Sequence, residues 1–403
     1  MISERFKKKI KNKKFDSIYL SYDGILDNVG FSQIYNYLVN IKINYNINLI
    51  SFEKKEKLNN SKDINNFNKN LYYNNIIWNI KKYHNTPKNL STIINFLIGF
   101  FVCFKLLIFK KIKVIHIRGL PSGIMIFPLM YFFTFKIIFD MRGFWAEEKA
   151  DRANLKRNSI SYKLLLFIEK KLLFNSEYII CLTNESTSYL KKKYDFLKNK
   201  NFVKIPTCVD MKRFKIKNKI NKKKIIFSYL GSIDTAYDID PVLNFLDRIS
   251  KRNVSYKIYF FSKKTKKLIN KLKNFNISKE NYSIKELNYH QVPKYLTKTD
   301  IGIFYLKKNL SIKASFPTKI AEFLACGIPI ICNDFNKDIT NMIIKNKLGI
   351  IMNFNNENIT PTLNQIKIKY INSKKSFTCR QYANNFLSLN SGILKLESIY
   401  DKL

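Results

Sequence analysis

The sequence predicts an α/β protein with two doubly wound parallel-sheet domains. Three observations carry the α/β part of that expectation. A chain of 403 residues is long enough for two hydrophobic cores. Apolar residues make up 46% of it, and strand-like and helix-like runs alternate along most of its length. The alternation breaks once, at 203-VKIPTCVDMKRFK-215 and the lysine-rich 216-IKNKINKKK-224, where Pro and charge mark an interdomain linker.

The elements follow in order. A strand is expected at 17-SIYLSY-22, then the glycine-bearing loop 23-DGILDNVGFSQ-33, then a helix whose Ile34, Tyr37, Leu38 and Ile41 share a face. A second strand is 47-INLISFE-53, and the polar 54–75 reads as a loop and a surface helix. The β-branched 113-KVIHIRG-119 and 136-KIIFDMRGFW-145 are strands, the latter running into a loop. A helix at 159–175 leads to the strand 177-EYIICLT-183. The second half opens with 225-IIFSYLGS-232, continues through a helix with Val242, Leu243, Phe245 and Leu246, and adds the strand 256-YKIYFFS-262. A helix at 264–275, the strand 301-IGIFYL-306 and a last helical region from 377 complete it. The implied domains are 1–205, a linker 206–223, a second domain 224–380, and a C-terminal region 381–403 for which a return onto the first domain is one option. Two such halves put a cleft at the carboxyl ends of two parallel sheets, where ligands bind.

The net charge of +43 suggests nucleic acid, but only nine of the 72 basic residues are Arg, and the lysines are dispersed along the chain instead of forming an arm or stripe. A solvated basic surface is the plainer reading. Such a surface still attracts anionic headgroups and phosphorylated substrates. Six cysteines without a C-x-x-C pair, mostly inside apolar runs, read as core residues in a reducing compartment. The three histidines lack metal-ligand spacing. The N-terminus is basic without a following apolar segment, so a cytoplasmic chain is expected. Two apolar stretches, 92-TIINFLIGFFVCFKLLIF-109 and 123-GIMIFPLMYFFTFKIIF-139, approach the length of a membrane span. The preferred expectation is packed helices with part of a face left for the inner surface of the plasma membrane.

One stretch carries the chemistry: 311-SIKASFPTKIAEFLACGIPIICND-334. Pro317 suits a helix start, Gly327 a helix stop, and Pro329 prevents continuation. Ile320, Phe323 and Leu324 form the inward face, with Lys319 and Glu322 together on another. Amides at Thr318 and Lys319, with the positive helix end, would hold a diphosphate, and Glu322 can accept bonds from vicinal ribose hydroxyls. A surface i,i+3 ion pair is the alternative.

With these residues in view, the chain resembles the retaining glycosyltransferases of family 4, the group 1 glycosyl transferases of GT-B architecture. The landmarks are 23-DGILDNVGFSQ-33, 140-DMRGFWAEE-148, 205-IPTCVDMKRF-214, 229-YLGS-232, 287-LNYHQVPKYLTKTDIGIFYL-306 and 315-SFPTKIAEFLACGIPII-331. The resemblance implies that Gly30 and Gly231 let backbone approach the ligand. It also implies that Leu287 and Val292 border the base, that Thr318 and Lys319 contact the diphosphate or donor sugar, and that Glu322 contacts the ribose. Two departures stand out. Ala314 occupies the place of the family's first glutamate, and the Arg and Lys that often follow the Gly-Ser position are replaced by IDTAYDID. Lys263, Lys313 and Lys319 are the candidates to neutralise the diphosphate instead.

In the first half, Arg118, Arg142, Arg152 and Arg157 fall within forty residues of an arginine-poor chain. Arg118, Arg142 and Trp145 suit an acceptor site, with Arg142, Asp140, Glu147 and Lys319 as catalytic candidates; buried or rim ion pairs with Glu147, Glu148 and Asp151 are the alternative. The function implied is a metal-independent transfer, with retention, from a nucleoside diphosphate sugar to a glycan or lipid-linked acceptor in surface polysaccharide assembly. No cofactor and no nucleic acid is expected. A GT-B nucleotide-sugar epimerase and a basic nucleic-acid-binding protein are the rivals.

Overall fold

The structure is a computed structural model, describing residues 15–59, 61–152, 155–216, 224–233, 235–252, 254–263, 265–288, 290–355, 366 and 371–403. The chain divides into two compact units. One runs to Ile205 and takes back Gly392–Leu403, while the other is Pro206–Ser391.

The first unit holds a seven-stranded sheet of order β3-β2-β1-β4-β5-β6-β7: β1 Phe15–Ser21, β2 Tyr45–Glu53, β3 Ile76–Lys82, β4 Ile112–Arg118, β5 Lys136–Asp140, β6 Tyr178–Cys181 and β7 Asn201–Lys204. Every pairing is parallel. The second unit repeats the plan in six parallel strands, β10-β9-β8-β11-β12-β13, with β8 Ile225–Leu230, β9 Tyr256–Phe261, β10 Tyr282–Lys285, β11 Ile301–Ile303, β12 Ile330–Cys332 and β13 Gly349–Ile351. These are the two Rossmann-like sheets the alternation implied. Their inner strands are mainly apolar and buried because helices cover both faces. The structure adds four strands that the sequence pattern does not announce, β3, β7, β10 and β13, and all four are sheet edges.

In each sheet the strand order reverses direction once, between β1 and β4 in the first and between β8 and β11 in the second. The connections leaving those neighbours diverge to opposite faces and open a crevice beyond their carboxyl ends. Both candidate sites described below lie at these points.

The expected boundaries shift. Residues 206–216 are not a free linker, since Val209 exchanges backbone bonds with Leu387 and Leu389 (2.9 Å each) within the second unit. The rest of that segment, 217–223, lies outside the described residues. The C-terminal region does not change unit at 381. Its first helix, Ser373–Phe386, stays in the second unit, where Arg380 donates to the carbonyls of Met211, Phe214 and Ala325. Only from Gly392, within the helix Leu389–Asp401, does the chain join the first unit. There Tyr400 is buried with its hydroxyl 3.1 Å from His116 Nδ1. All six cysteines are free and buried, as core residues should be.

Candidate functional site

The crevice of the second sheet is built around one helix, α1 Thr318–Ala325. Pro317 is its cap, one position before the expected first turn, with extended backbone at φ −60° and ψ 128°. Its far end is a Schellman closure: Ile328 N donates to Phe323 O (2.9 Å) and Gly327 N to Leu324 O (3.0 Å), with Gly327 at φ +73°. The amides of its first turn have no intrahelical acceptor, and the helix dipole makes that end positive. Thr318 sits there, partly buried.

Lys319 and Glu322 are not a surface pair. They are 4% and 9% exposed, and no ion pair joins them. Lys319 Nζ has no hydrogen-bond partner. It lies instead among aromatic rings, 3.5 Å from the centroid of Tyr237, 5.1 Å from that of Tyr229 and 5.2 Å from that of Phe304. Tyr229 belongs to β8 and Phe304 follows β11, so the ammonium stands over the crevice. Gly231, just past β8 at φ +142°, faces it, and a Cβ there would run into Lys319 Nζ. Burial drives the Lys319 amine well below its ordinary value, and Glu322 opposes this only in part. Burial pushes the Glu322 carboxyl up to about 7 against Lys319 and Arg213. A buried amine without a partner costs stability unless something polar arrives to meet it.

The other donor-side candidates scatter. Lys263 is exposed just beyond β9. Lys313 lies in the short turn Leu310–Ala314, partly buried, its carbonyl accepting from Asn336 Nδ2 at 2.9 Å. Leu287 and Val292 are buried beyond the edge strand β10 and at the start of the short helix Val292–Leu296. Ala314 is buried and offers no carboxylate.

In the first unit the strand register creates the site. Arg118 pairs with Asp140 across β4 and β5, and Arg118 Nη1 donates to Asp140 Oδ2 at 3.1 Å. Arg142 follows with φ +55°, its Nη1 3.7 Å from Asp140 Oδ1 and its Nη2 donating to Gln33 Oε1 at 3.3 Å. Burial raises the Asp140 carboxyl, but Arg142, the His116 contact and Arg118 outweigh it and hold it below its ordinary value. His116, buried beside them, is lowered by burial and stays neutral near pH 7. A cavity of about 270 Å³ opens here, with Tyr22, Asp23, Arg118, Arg142, Trp145 and Glu148 among its lining. Tyr22 and Asp23 follow β1 while Arg118 ends β4, which is the point where the strand order reverses.

Three placements differ from expectation. Glu147 does not reach this cavity: its carboxylate accepts from the Tyr162 hydroxyl and from Arg157 Nε at 3.2 Å. Arg157 also binds Asp151, so that pair belongs to an ion-pair network. Glu148 takes the cavity position, its carboxyl raised by burial against Arg152 and Lys149. Asp140 is not in the lining; it lies behind the two arginines and fixes them. Gly30 is small for an internal reason, since a Cβ there would collide with the Gly24 carbonyl. Sequence reasoning missed Asp23, Gln33 and Glu148, although each stands inside a landmark motif.

Residues 210–384 match the family model described as "Glycosyl transferases group 1". No curated protein sequence matches the chain. Among solved structures, the chain is similar to sucrose-phosphate synthase from Thermosynechococcus elongatus, at 12% identity and a TM-score of 0.70, covering 96% of this chain and 99% of that one. A glycosyltransferase from Rickettsia africae gives 15% identity, a TM-score of 0.65 and coverage of 96% and 98%. HepE of Anabaena, in complex with UDP-glucose, gives 8%, 0.64, and 97% and 100%. These likenesses fix the fold as GT-B, and together with the family match they support a glycosyltransferase.

Proposed function

We propose that the protein transfers a sugar from a nucleoside diphosphate sugar to a glycan or lipid-linked acceptor, the diphosphate being held at the start of α1. One observation carries this reading: Lys319 is a buried amine without a hydrogen-bond partner, over a glycine turn at the strand-order reversal of the second sheet. An anion is what that amine lacks. The UDP-glucose in the HepE neighbour is consistent with such a donor.

The chemistry follows from charge. As the sugar departs, negative charge builds on the distal phosphate, and a preorganised ammonium with the first-turn amides lowers the barrier in a water-poor site. Lys319 would regain its proton as the diphosphate arrives. Glu322, one turn further along, would bond the ribose hydroxyls. Because a lysine and amides meet the developing charge, the reading needs no metal ion at the leaving group. Retention and the surface-polysaccharide setting rest on the motif resemblance alone. Retention then implies attack from the face the phosphate leaves, with no protein nucleophile assigned. The first-unit cavity would take the acceptor, with Arg118 and Arg142 for an anionic or hydroxyl-rich group and Trp145 for a sugar face.

The test is a thermal-shift panel of UDP-, GDP-, ADP- and dTDP-sugars. A ligand binding the folded chain at about a hundredfold excess over its dissociation constant adds about 2.7 kcal/mol. One nucleotide series should raise the midpoint, and Lys319→Met should remove the rise. A flat panel would refute the reading. Turnover of donor without acceptor would select the epimerase instead.

A further inference from the structure

The helix α2 Lys88–Phe109 is built inside out. In a soluble domain the apolar stripe faces the core and the polar stripe faces water. Here the inward stripe is Ser91, Asn95, Gly99 and Cys103, four residues apart and all buried. Asn95 Nδ2 donates to the His84 carbonyl at 2.8 Å and its Oδ1 accepts from His84 N at 3.0 Å. Gly99 sits where a Cβ would strike Met125. The outward stripe is Leu90, Ile93, Leu97, Phe101, Phe104 and Ile108, every one exposed. By length and hydropathy the helix is long enough to cross a membrane. Yet its hydrogen-bonded Asn95 and its packed Gly99 tie it to the first unit along its length, so it lies on a surface.

The outward apolar face continues beyond α2. Phe104 meets Phe133 (5.8 Å between ring centroids), and Phe127 meets both Tyr131 (5.6 Å) and Phe167 (6.1 Å). Phe167 stands on α3 Ile160–Asn175, whose exposed Ile160, Leu164 and Phe174 repeat the pattern. Three elements therefore join their exposed apolar side chains, Phe132 at 79% and Ile160 at 85% exposure among them. Within the segments that carry this face the exposed charge is basic. No Asp or Glu occurs between Asp63 and Asp140, and the single acid of α3, Glu169, is buried. Exposed Lys105, Lys163, Lys170 and Lys171 interleave with the apolar residues. Large exposed apolar patches mark contact surfaces, and apolar side chains interleaved with lysines fit the boundary between acyl chains and anionic headgroups.

We infer that this face of the first unit docks on an anionic lipid bilayer, with Phe101, Phe132 and Ile160 entering the headgroup boundary and the lysines meeting lipid phosphates. The inference does not depend on the proposed sugar transfer, and its test reads binding alone. The full chain is sedimented with vesicles of phosphatidylcholine containing about one part in four phosphatidylglycerol, and with phosphatidylcholine alone. The protein should partition onto the anionic vesicles at least about tenfold better, and high salt should weaken but not abolish this. The triple variant Phe101→Ser, Phe132→Ser, Ile160→Ser should keep the far-ultraviolet spectrum and cooperative thermal unfolding of the parent and lose vesicle binding. Lys105→Glu with Lys163→Glu and Lys171→Glu should lose the preference for anionic lipid. The inference is overturned if the parent stays in solution with both vesicles or if neither variant changes binding. It is equally overturned by a parent that forms a dimer through this face, dissociated by the triple variant, without binding lipid.

Discussion

Basic side chains stand at the point where the strand order of each sheet reverses, but they meet different surroundings. In the first, Arg118 and Arg142 flank Asp140, so the sequence supplies the counter-charge on the adjacent strand. In the second, Lys319 is ringed by Tyr237, Tyr229 and Phe304 and has no hydrogen-bond partner. A permanently charged guanidinium cannot be buried without an anion, whereas a lysine can shed its proton and wait. The first arrangement stores structure. The second stores affinity for an anion not yet present.

The comparison can be broken from either side. Asp140→Asn would leave the buried Arg118 and the partly buried Arg142 without their carboxylate and should cost about 3–5 kcal/mol in unfolding free energy, the largest effect expected. A loss under about 1 kcal/mol would mean that the arginines are compensated elsewhere. Lys319→Met should do the reverse. Stability should hold or rise, because an apolar side chain replaces an unpartnered amine among aromatic rings. Nucleoside diphosphate affinity should fall about ten- to a hundredfold, the worth of a charge-assisted bond. Equal affinity in titration calorimetry would remove Lys319 from the site.

The two carboxylates should also titrate with opposite sign. Glu322 keeps its proton to about pH 7 when folded, whereas its ordinary value is 4.5. The unfolded chain therefore releases this proton first, and stability falls as pH rises across that window, then levels. Glu322→Gln should flatten the fall, gaining on the order of 2 kcal/mol relative to the parent at pH 8 compared with pH 5. Asp140 lies below its ordinary 3.8, so its contribution is present above that value and is lost as pH drops through the folded one. A Glu322→Gln difference independent of pH would contradict the buried proton. The smallest effect belongs to Lys263→Ala, an exposed residue that should change stability by less than about 0.5 kcal/mol. A large fall in nucleotide affinity there would move the diphosphate away from α1.

What the sequence disclosed tracks burial on both faces. The expected strands at 17–22, 47–53, 113–119, 225–232 and 256–262 all lie inside the sheets, where most side chains are apolar and buried on both faces. The four strands it concealed are edges, and Asn201–Lys204 has no buried residue at all. An edge strand has one paired side and a half-wet surface, so its sequence resembles a loop. The helix around Lys319 was legible because Pro317, Gly327 and Pro329 punctuate it. That Lys319 and Glu322 are buried was not, because a Lys and a Glu three apart also describe a solvent ion pair. The rings of Tyr229, Tyr237 and Phe304, distant in sequence, cover the Lys319 amine. In the first unit the roles of Glu147 and Glu148 were exchanged for a similar reason. Two adjacent glutamates near a helix start point in different directions, and Tyr162 and Arg157 decide which one is withdrawn from the cavity.

The central claim is that burial depresses the basicity of the Lys319 amine until a diphosphate restores it. Calorimetric titration with the nucleoside diphosphate that the panel selects, in buffers of different ionisation enthalpy near pH 7, counts the protons exchanged on binding. Net proton uptake is expected, abolished by Lys319→Met. Tight binding with no proton uptake, or uptake that persists in Lys319→Met, would contradict the account.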